Sequence, residues 1–271
     1  MFVTDRLIYL QMRKTACTHI ARVLGATVGG QNVGYKHSPI PNDFSIGERQ
    51  IISSIRNPWD YYVSSWAYGI KNKEGGLRKR LTTRHYGYYL RQPSRWRRAP
   101  RGLFNMLTKP ADRWESFYAD AEDTIAFRTW LHLLLNPRRK FDNGEPYGFS
   151  SIAKFAGLMS FRYARLVWRD RAPLFDGSVR SLSALQATDA QQNQLHDTIQ
   201  LESLATDLIT TLIQAGHLLS PEQIAAIEQA NRTNTSRRQM TDFYYDAETI
   251  ALVAEKERFI IEKYGYQPPE L

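Results

Sequence analysis

The chain has 271 residues, of which 42% are hydrophobic, and this is enough to bury a sizeable core. A single cysteine, Cys17, excludes an intramolecular disulfide, and no apolar run approaches the ~20 residues that cross a bilayer. A formal net charge of +9 favours anionic partners but does not choose among nucleic acid, nucleotides, acidic sugars and membrane surfaces. Because no secretory leader is recognisable, we expect a cytoplasmic protein.

The first third of the chain alternates apolar strands with helices. Strands are predicted at residues 6–12 and 50–55, each apolar on both faces, as in strands covered by helices on both sides. The helices predicted at 18–25 and 58–73 follow them directly. This alternation predicts a parallel sheet whose functional groups lie at the carboxyl ends of the strands.

The remainder is predicted to be mainly helical. Helix starts are indicated by a capping box at Ser220 and by Asp246, and Gly265 ends the last helix. Two short strands are also possible, at 32–36 and within 197–204. We therefore predict one α/β domain over residues 1–271 with a helix-rich C-terminal half. The predicted helices are 112–135, 201–215, 221–230 and 247–264.

Residues 75–111 are predicted to form a basic insertion or lid. No acidic residue lies between Glu74 and Asp112, while arginines alternate with tyrosines and a tryptophan, and glycines and prolines make much of the stretch poor helix material. A nucleic-acid-binding role for residues 77–109 is the alternative, although no recognition motif indicates a specific sequence. The candidate contacts to an anionic acceptor are Arg95, Arg97 and Arg98.

The joint between the first strand and helix carries the groups that a bound phosphate or sulfate needs. Lys14 supplies a cation, Thr15 and Thr18 supply hydroxyls, and the amides of residues 16–19 open a helix N-terminus. An ordinary exposed turn with a threonine cap is the alternative. A nucleoside-triphosphate P-loop fits poorly, because no glycines precede Lys14 in the required pattern.

A second joint has the same character. Arg56 ends a strand, Pro58 begins a helix, and Ser64 lies about two helical turns beyond Arg56, so that both side chains could face one anion. A plain helix start with a solvated serine is the alternative. The strand ends in an arginine rather than an acidic metal ligand, so a metal-dependent nucleotide kinase has less support.

Together, these motifs resemble those of sulfotransferases that use 3′-phosphoadenosine 5′-phosphosulfate (PAPS). The family's phosphosulfate loop reads P-K-T-G-G-T-S or P-K-S-G-T-T where this chain has RKTACTH, and its R-N-P-x-D-x-x-x-S motif is matched at every fixed position by RNPWDYYVS. The C-terminal run from NRTNTSRRQM to the final Gly-Tyr also resembles the family's closing loop and last helix. The likeness covers about the first 70 and the last 75 residues.

The resemblance implies a P-loop-like three-layer αβα fold with a central, mainly parallel sheet. It also implies in-line transfer of a sulfuryl group from PAPS to an acceptor hydroxyl, expected on a sugar or glycan, with 3′,5′-adenosine bisphosphate as product and no metal ion. Lys14 would act on the leaving oxygen, and Arg56 and Ser64 would bind the 3′-phosphate. The other implied cofactor contacts are Arg13, Thr15, Ala16, Cys17, Thr18, His19, Arg232 and Arg237.

An acceptor hydroxyl also needs a base. His37 lies between the two cofactor motifs, where carbohydrate sulfotransferases carry a histidine, and is the preferred candidate; an exposed turn histidine is the alternative reading. His19, which follows the anion loop, is the next candidate base. Ala16 and Cys17 replace glycines of the family pattern, so their Cβ atoms are expected to limit positive φ and close approach to an anion. Cys17 itself is expected to be a small buried residue rather than a reactive thiol.

Overall fold

The computed structural model describes residues 1–84, 99–230 and 238–270, and these form an α/β structure with a mixed five-stranded sheet. They divide into two compact units. The single-domain expectation stays a prediction, because compact units built from interleaved segments need not be separate domains. The first unit comprises Met1–Asn57, Arg162–Pro173 and Ser183–Thr235, and the second Pro58–Phe161, Leu174–Leu182 and Ser236–Leu271.

The sheet lies in the first unit. Its order is β3-β1-β2-β4-β5, in which β2, β4 and β5 are parallel and the short β1 is antiparallel to β2 and β3. All of β2 is buried, as its apolar sequence predicts. The predicted parallel centre is confirmed, whereas the strand predicted at 32–36 reduces to its first residue because a turn follows. The strands are β1 Phe2–Val3, β2 Leu7–Leu10, β3 Gln31–Asn32, β4 Gln50–Ile55 and β5 Asp197–Gln200.

Helices pack on this sheet within the first unit. The core joins Leu24 of the first helix, Ile52 and Ile199 of the strands, and Leu208 and Leu212 of a later helix. The predicted capping box at Ser220 is confirmed. The helices that lie wholly or largely in this unit are α1 Cys17–Val28, α7 Leu158–Val167, α8 Leu182–Gln192, α9 Leu204–Gln214 and α10 Pro221–Glu228.

The second unit is helical and rich in buried aromatic residues. Trp66, Phe127 and Tyr244 meet edge to face, with ring centroids 5.4 to 5.7 Å apart. Trp66 donates its indole N–H to the Phe117 carbonyl, and Trp130 donates to the Tyr118 hydroxyl. The helices of this unit are α2 Pro58–Lys71, α3 Gly76–Thr82, α4 Ala99–Thr108, α5 Ala111–Ser116, α6 Thr124–Leu135, α11 Ala247–Lys256 and α12 Arg258–Tyr264.

Several predicted helix boundaries in this unit are wrong. The helix predicted at 112–135 is two helices, because Asp123 accepts a hydrogen bond from the amide of Ala126 and starts α6. The helix predicted at 247–264 breaks at the buried Glu257. Helices also occupy Gly76–Thr82 and Ala99–Thr108, where the sequence reads as poor helix material, and Arg78 of α3 is buried in an ion pair with Glu115.

Within the part of the chain that is described, no helix is long and apolar enough to cross a membrane.

Candidate functional site

The candidate site is built on the loop between β2 and α1. Lys14 has φ +64° and Ala16 has φ +55°, both in the left-handed region, whereas Thr15 between them does not. Neighbouring residues of opposite backbone hand turn successive N–H groups toward one side and form an anion-binding concavity. The Cβ of Ala16 is expected to limit positive φ, but Ala16 adopts it nonetheless, at a cost in backbone strain.

Helix α1 begins at this loop with an uncompensated N-terminus. No side chain caps it, and its first turn contains no acidic residue. The first amides of a helix lack intrahelical partners, and the helix dipole favours negative charge there. The exposed Thr18 hydroxyl in the first turn accepts a hydrogen bond from Lys36 Nζ at 2.6 Å, which brings another cation to the helix start.

Thr15 lies in a buried network of hydroxyl groups. Its side chain is fully buried, and its hydroxyl lies 3.0 Å from the Met12 carbonyl and 2.7 Å from Ser54 Oγ. Ser54 also contacts Tyr9 at 2.6 Å and donates to the Thr15 carbonyl at 3.1 Å. This buried hydroxyl network fixes the strained loop against β4, and the part of Thr15 in binding a ligand stays a prediction.

Arg56 joins the two predicted anion motifs. It follows β4, is 9% exposed, and donates from Nη1 to the Lys14 carbonyl at 3.1 Å. Parallel strands place their carboxyl ends at the same edge of the sheet, which is why residues far apart in sequence meet here. The guanidinium therefore lies at the loop whose amides form the anion concavity.

A tight turn supplies the remaining polar groups. The amide of Ser38 donates to the Tyr35 carbonyl at 3.3 Å, and His37 occupies the third position of this turn with φ +63°. Positive φ at that position is typical of a type II turn. One turn thus carries the Tyr35 ring, which is 87% exposed, together with Lys36 and His37.

A hydrogen bond to the backbone defines the tautomer of His37. Its Nδ1 lies 2.7 Å from the Gln11 carbonyl, which can only accept, so Nδ1 carries the proton and Nε2 carries the lone pair. The pKa of His37 is lowered to about 4, chiefly by burial and in smaller part by the charges of Arg13, Lys36 and Arg162, while the hydrogen bond to Gln11 opposes the shift. The imidazole is therefore neutral at neutral pH.

Two further predicted contacts, Cys17 and His19, are buried at the start of α1. Cys17 is 6% exposed, and burial raises the pKa of its thiol, as expected for a small packed residue and not for a reactive thiolate. His19 is 3% exposed, with Nδ1 3.4 Å from Arg22 Nη2. Both residues can offer a ligand their backbone amides at the start of α1.

The binding roles of the remaining predicted contacts stay predictions. Ser64 is buried on α2 in the second unit, and its part in binding a 3′-phosphate stays a prediction. In residues 1–84, 99–230 and 238–270, no group of three or more His, Cys, Asp or Glu is arranged to hold a metal ion. Arg95, Arg97, Arg98, Arg232 and Arg237 lie outside the described residues.

Sequence reasoning missed three residues near the site. Tyr35 and Lys36 directly precede the candidate base, His37. The Gly-Tyr-Lys-His run could have indicated a turn that presents all three side chains together. Arg162 is 8% exposed on α7, and its charge acts on His37. No local pattern could have indicated Arg162, because it comes from a helix remote in sequence.

Comparison of the chain with models of known protein families, with curated proteins and with solved structures finds no match.

Proposed function

We propose that the protein is a PAPS-dependent sulfotransferase that transfers a sulfuryl group to a hydroxyl of a sugar or glycan, on a P-loop-like three-layer αβα fold. The observation that carries the proposal is the meeting of the Lys14 loop with Arg56 at the carboxyl ends of β2 and β4. These are the two motifs on which the family resemblance depends.

The described residues fit a bisphosphorylated nucleotide. The backbone alternates in hand from Lys14 through Thr15 to Ala16. Together with the uncapped N-terminus of α1, this loop forms a cradle for one anionic group. Arg56 beside it offers a planar fork for a second phosphate. When bound, PAPS supplies the sulfuryl group and a 3′,5′-bisphosphate leaving group.

The chain's own groups have distinct tasks in such a reaction. Lys14, Lys36 and the α1 amides stabilise negative charge at the loop, and Lys36 and the amides are held in place before the ligand arrives. His37 Nε2 takes the proton of the acceptor hydroxyl, with Nδ1–H held by Gln11. A pKa near 4 makes His37 a weak base in the ligand-free protein; burial is the main cause, and an anion beside Arg13 and Lys36 raises the pKa only by the smaller part that comes from their charges.

The exposed Tyr35 ring supports a carbohydrate acceptor. An aromatic face at 87% exposure, on the turn that holds the base, offers an open platform for the apolar face of a sugar ring. A small apolar acceptor would instead call for an enclosed, mostly apolar pocket. The turn therefore combines a stacking surface with a proton acceptor.

Calorimetric titration with 3′,5′-adenosine bisphosphate and AMP tests the proposal. The bisphosphate should bind about 10- to 100-fold more tightly, and Arg56→Ala should remove most of this difference, because a charge-assisted contact to the 3′-phosphate is lost. Arg6→Ala is the matched control, since it removes the same charge before β2, at the opposite end of the strand.

The alternatives give different results. Equal affinity for the two nucleotides would overturn the 3′-phosphate assignment. Saturable binding of ATP with magnesium, and no response to PAPS, would indicate a nucleotide kinase. Binding to generic oligonucleotides that weakens steeply with salt, without any nucleotide response, would favour the basic segment as a nucleic-acid site.

A further inference from the structure

Helix α4, Ala99–Thr108, presents an apolar stripe to solvent. Pro100, Leu103, Phe104 and Leu107 recur at the i, i+3, i+4 and i+7 spacing of one helix face, and all four are exposed. Phe104 is 68% exposed, Leu107 62% and Leu103 46%. A surface helix normally buries such a stripe and leaves its polar face in water.

Positive charge lies at one end of this stripe. At the C-terminal end of α4, Arg139 donates to the Thr108 carbonyl at 3.4 Å and Arg84 donates to the Lys109 carbonyl at 3.2 Å. Arg138 next to Arg139 is exposed. Arg139 is paired with Asp142 at 3.9 Å, but no acidic residue occurs in the sequence between Glu74 and Asp112, so the stretch that contains α4 has no carboxylate of its own.

We infer that α4 docks on an anionic lipid bilayer, with Leu103, Phe104 and Leu107 entering the headgroup boundary and the flanking arginines contacting acidic headgroups. Exposed Phe and Leu side chains on one helix face, together with basic residues nearby, are the features of helices that lie in the membrane interface. The sign of the charge selects the lipid, because anionic leaflets attract basic segments and neutral ones do not.

Fluorescent labelling measures this docking directly in the full chain. Cys17 is buried, so Phe104→Cys provides a selectively reactive site for an environment-sensitive dye. The dye should shift to the blue with vesicles of equal parts phosphatidylglycerol and phosphatidylcholine, and not with phosphatidylcholine alone. Ile125→Cys, at 74% exposure on α6, is the matched control and should not respond.

Co-sedimentation with the same vesicles separates the apolar from the electrostatic part. Phe104→Ser with Leu107→Ser should lower the partition coefficient by about tenfold, because two partly exposed apolar side chains no longer enter the interface. Ile125→Ser should leave it unchanged. Both partners in the double variant are exposed, so the fold should be kept, as circular dichroism would verify.

Three results would overturn the inference. The first is a wild-type protein that does not sediment with anionic vesicles at low salt. The second is a double variant that sediments like wild type, which would leave charge alone as the cause. The third is a vesicle-free dimer that dissociates in the double variant, since the stripe would then be a contact between two copies of the chain.

Discussion

The two units differ in backbone strain and in the packing of aromatic side chains. Among the described residues, the non-glycine positions with positive φ are Lys14, Ala16 and His37, and all three lie in the first unit, in the loops that follow β2 and β3. The second unit instead buries large aromatic side chains whose indole N–H groups are bonded internally, as at Trp59, which donates to the Ile250 carbonyl. Strain is concentrated in one unit and aromatic packing in the other.

This difference indicates what each unit contributes. Strained, polar residues persist only where surrounding structure holds them, and they cluster at functional sites. A satisfied aromatic core contributes stability instead, through the area that it removes from water. Substitutions in the first unit should therefore change ligand binding and turnover with small effects on stability, and substitutions in the second should do the reverse.

His37 should give the largest effect on activity. His37→Ala should lower kcat by about 10²- to 10⁴-fold, as loss of a general base does, while affinity for 3′,5′-adenosine bisphosphate stays close to wild type. Turnover would be followed as acceptor-dependent release of the bisphosphate from PAPS with a pool of glycans. His132→Ala, on α6 in the second unit, is the control, and equal activity of the two variants would exclude His37 as the base.

The same histidine gives a pH test. Its folded-state pKa of about 4 lies below the ordinary value of 6.5, so its contribution to stability is present above pH 6.5 and is lost as the pH falls toward 4. His37→Gln should flatten this part of the stability curve measured by denaturant unfolding. Adding 3′,5′-adenosine bisphosphate should move the NMR titration midpoint of His37 upward; a midpoint that does not move would separate the histidine from the anion site.

Glu257 should give the largest effect on stability. Its buried carboxylate accepts hydrogen bonds from the Met159 and Ser160 amides and the Ser160 and Tyr62 hydroxyls. Glu257→Ala leaves these donors unpaired and should lower the free energy of unfolding by about 3–5 kcal/mol. Denaturant titration against Glu255→Ala, an exposed glutamate of α11, checks this, and equal losses would contradict it.

Tyr35 should have an intermediate effect confined to the acceptor. Tyr35→Ala should weaken saccharide binding by about tenfold, while Tyr35→Phe keeps it, because the ring face and not the hydroxyl makes the contact. Glycan-array binding in the presence of 3′,5′-adenosine bisphosphate measures this. Undiminished binding by Tyr35→Ala would remove the stacking platform from the proposal.

The smallest expected effect lies in the loop backbone. Ala16→Gly should stabilise the protein by at most about 1 kcal/mol, because relief of left-handed strain slightly exceeds the entropy of a more flexible unfolded chain. Ala21→Gly, inside α1, should instead destabilise by about 1 kcal/mol. Equal destabilisation by both changes in thermal unfolding would mean that Ala16 carries no strain.

The parallel centre of the sheet could be predicted because its strands are short apolar runs followed by helix starts. The proximity of Lys14 and Arg56 could also be predicted, because each follows one of two parallel strands, while their part in binding stays a prediction. The burial of Thr15 against Ser54 could not be predicted, because a threonine beside a lysine is equally compatible with an exposed turn. The break between α11 and α12 at Glu257 could not be predicted either. Glu257 is buried where it accepts hydrogen bonds from Ser160, a residue distant in sequence.

Gly157 and Glu257 form a pair that should vary together during evolution. A Cβ built on Gly157 would clash with the Glu257 carboxylate and come close to the Tyr62 hydroxyl, although the backbone of Gly157 is not in a glycine-specific conformation. The glycine is therefore required by its neighbour rather than by its own torsion angles. Relatives that replace Glu257 with a smaller residue should be the ones that tolerate alanine or serine at position 157.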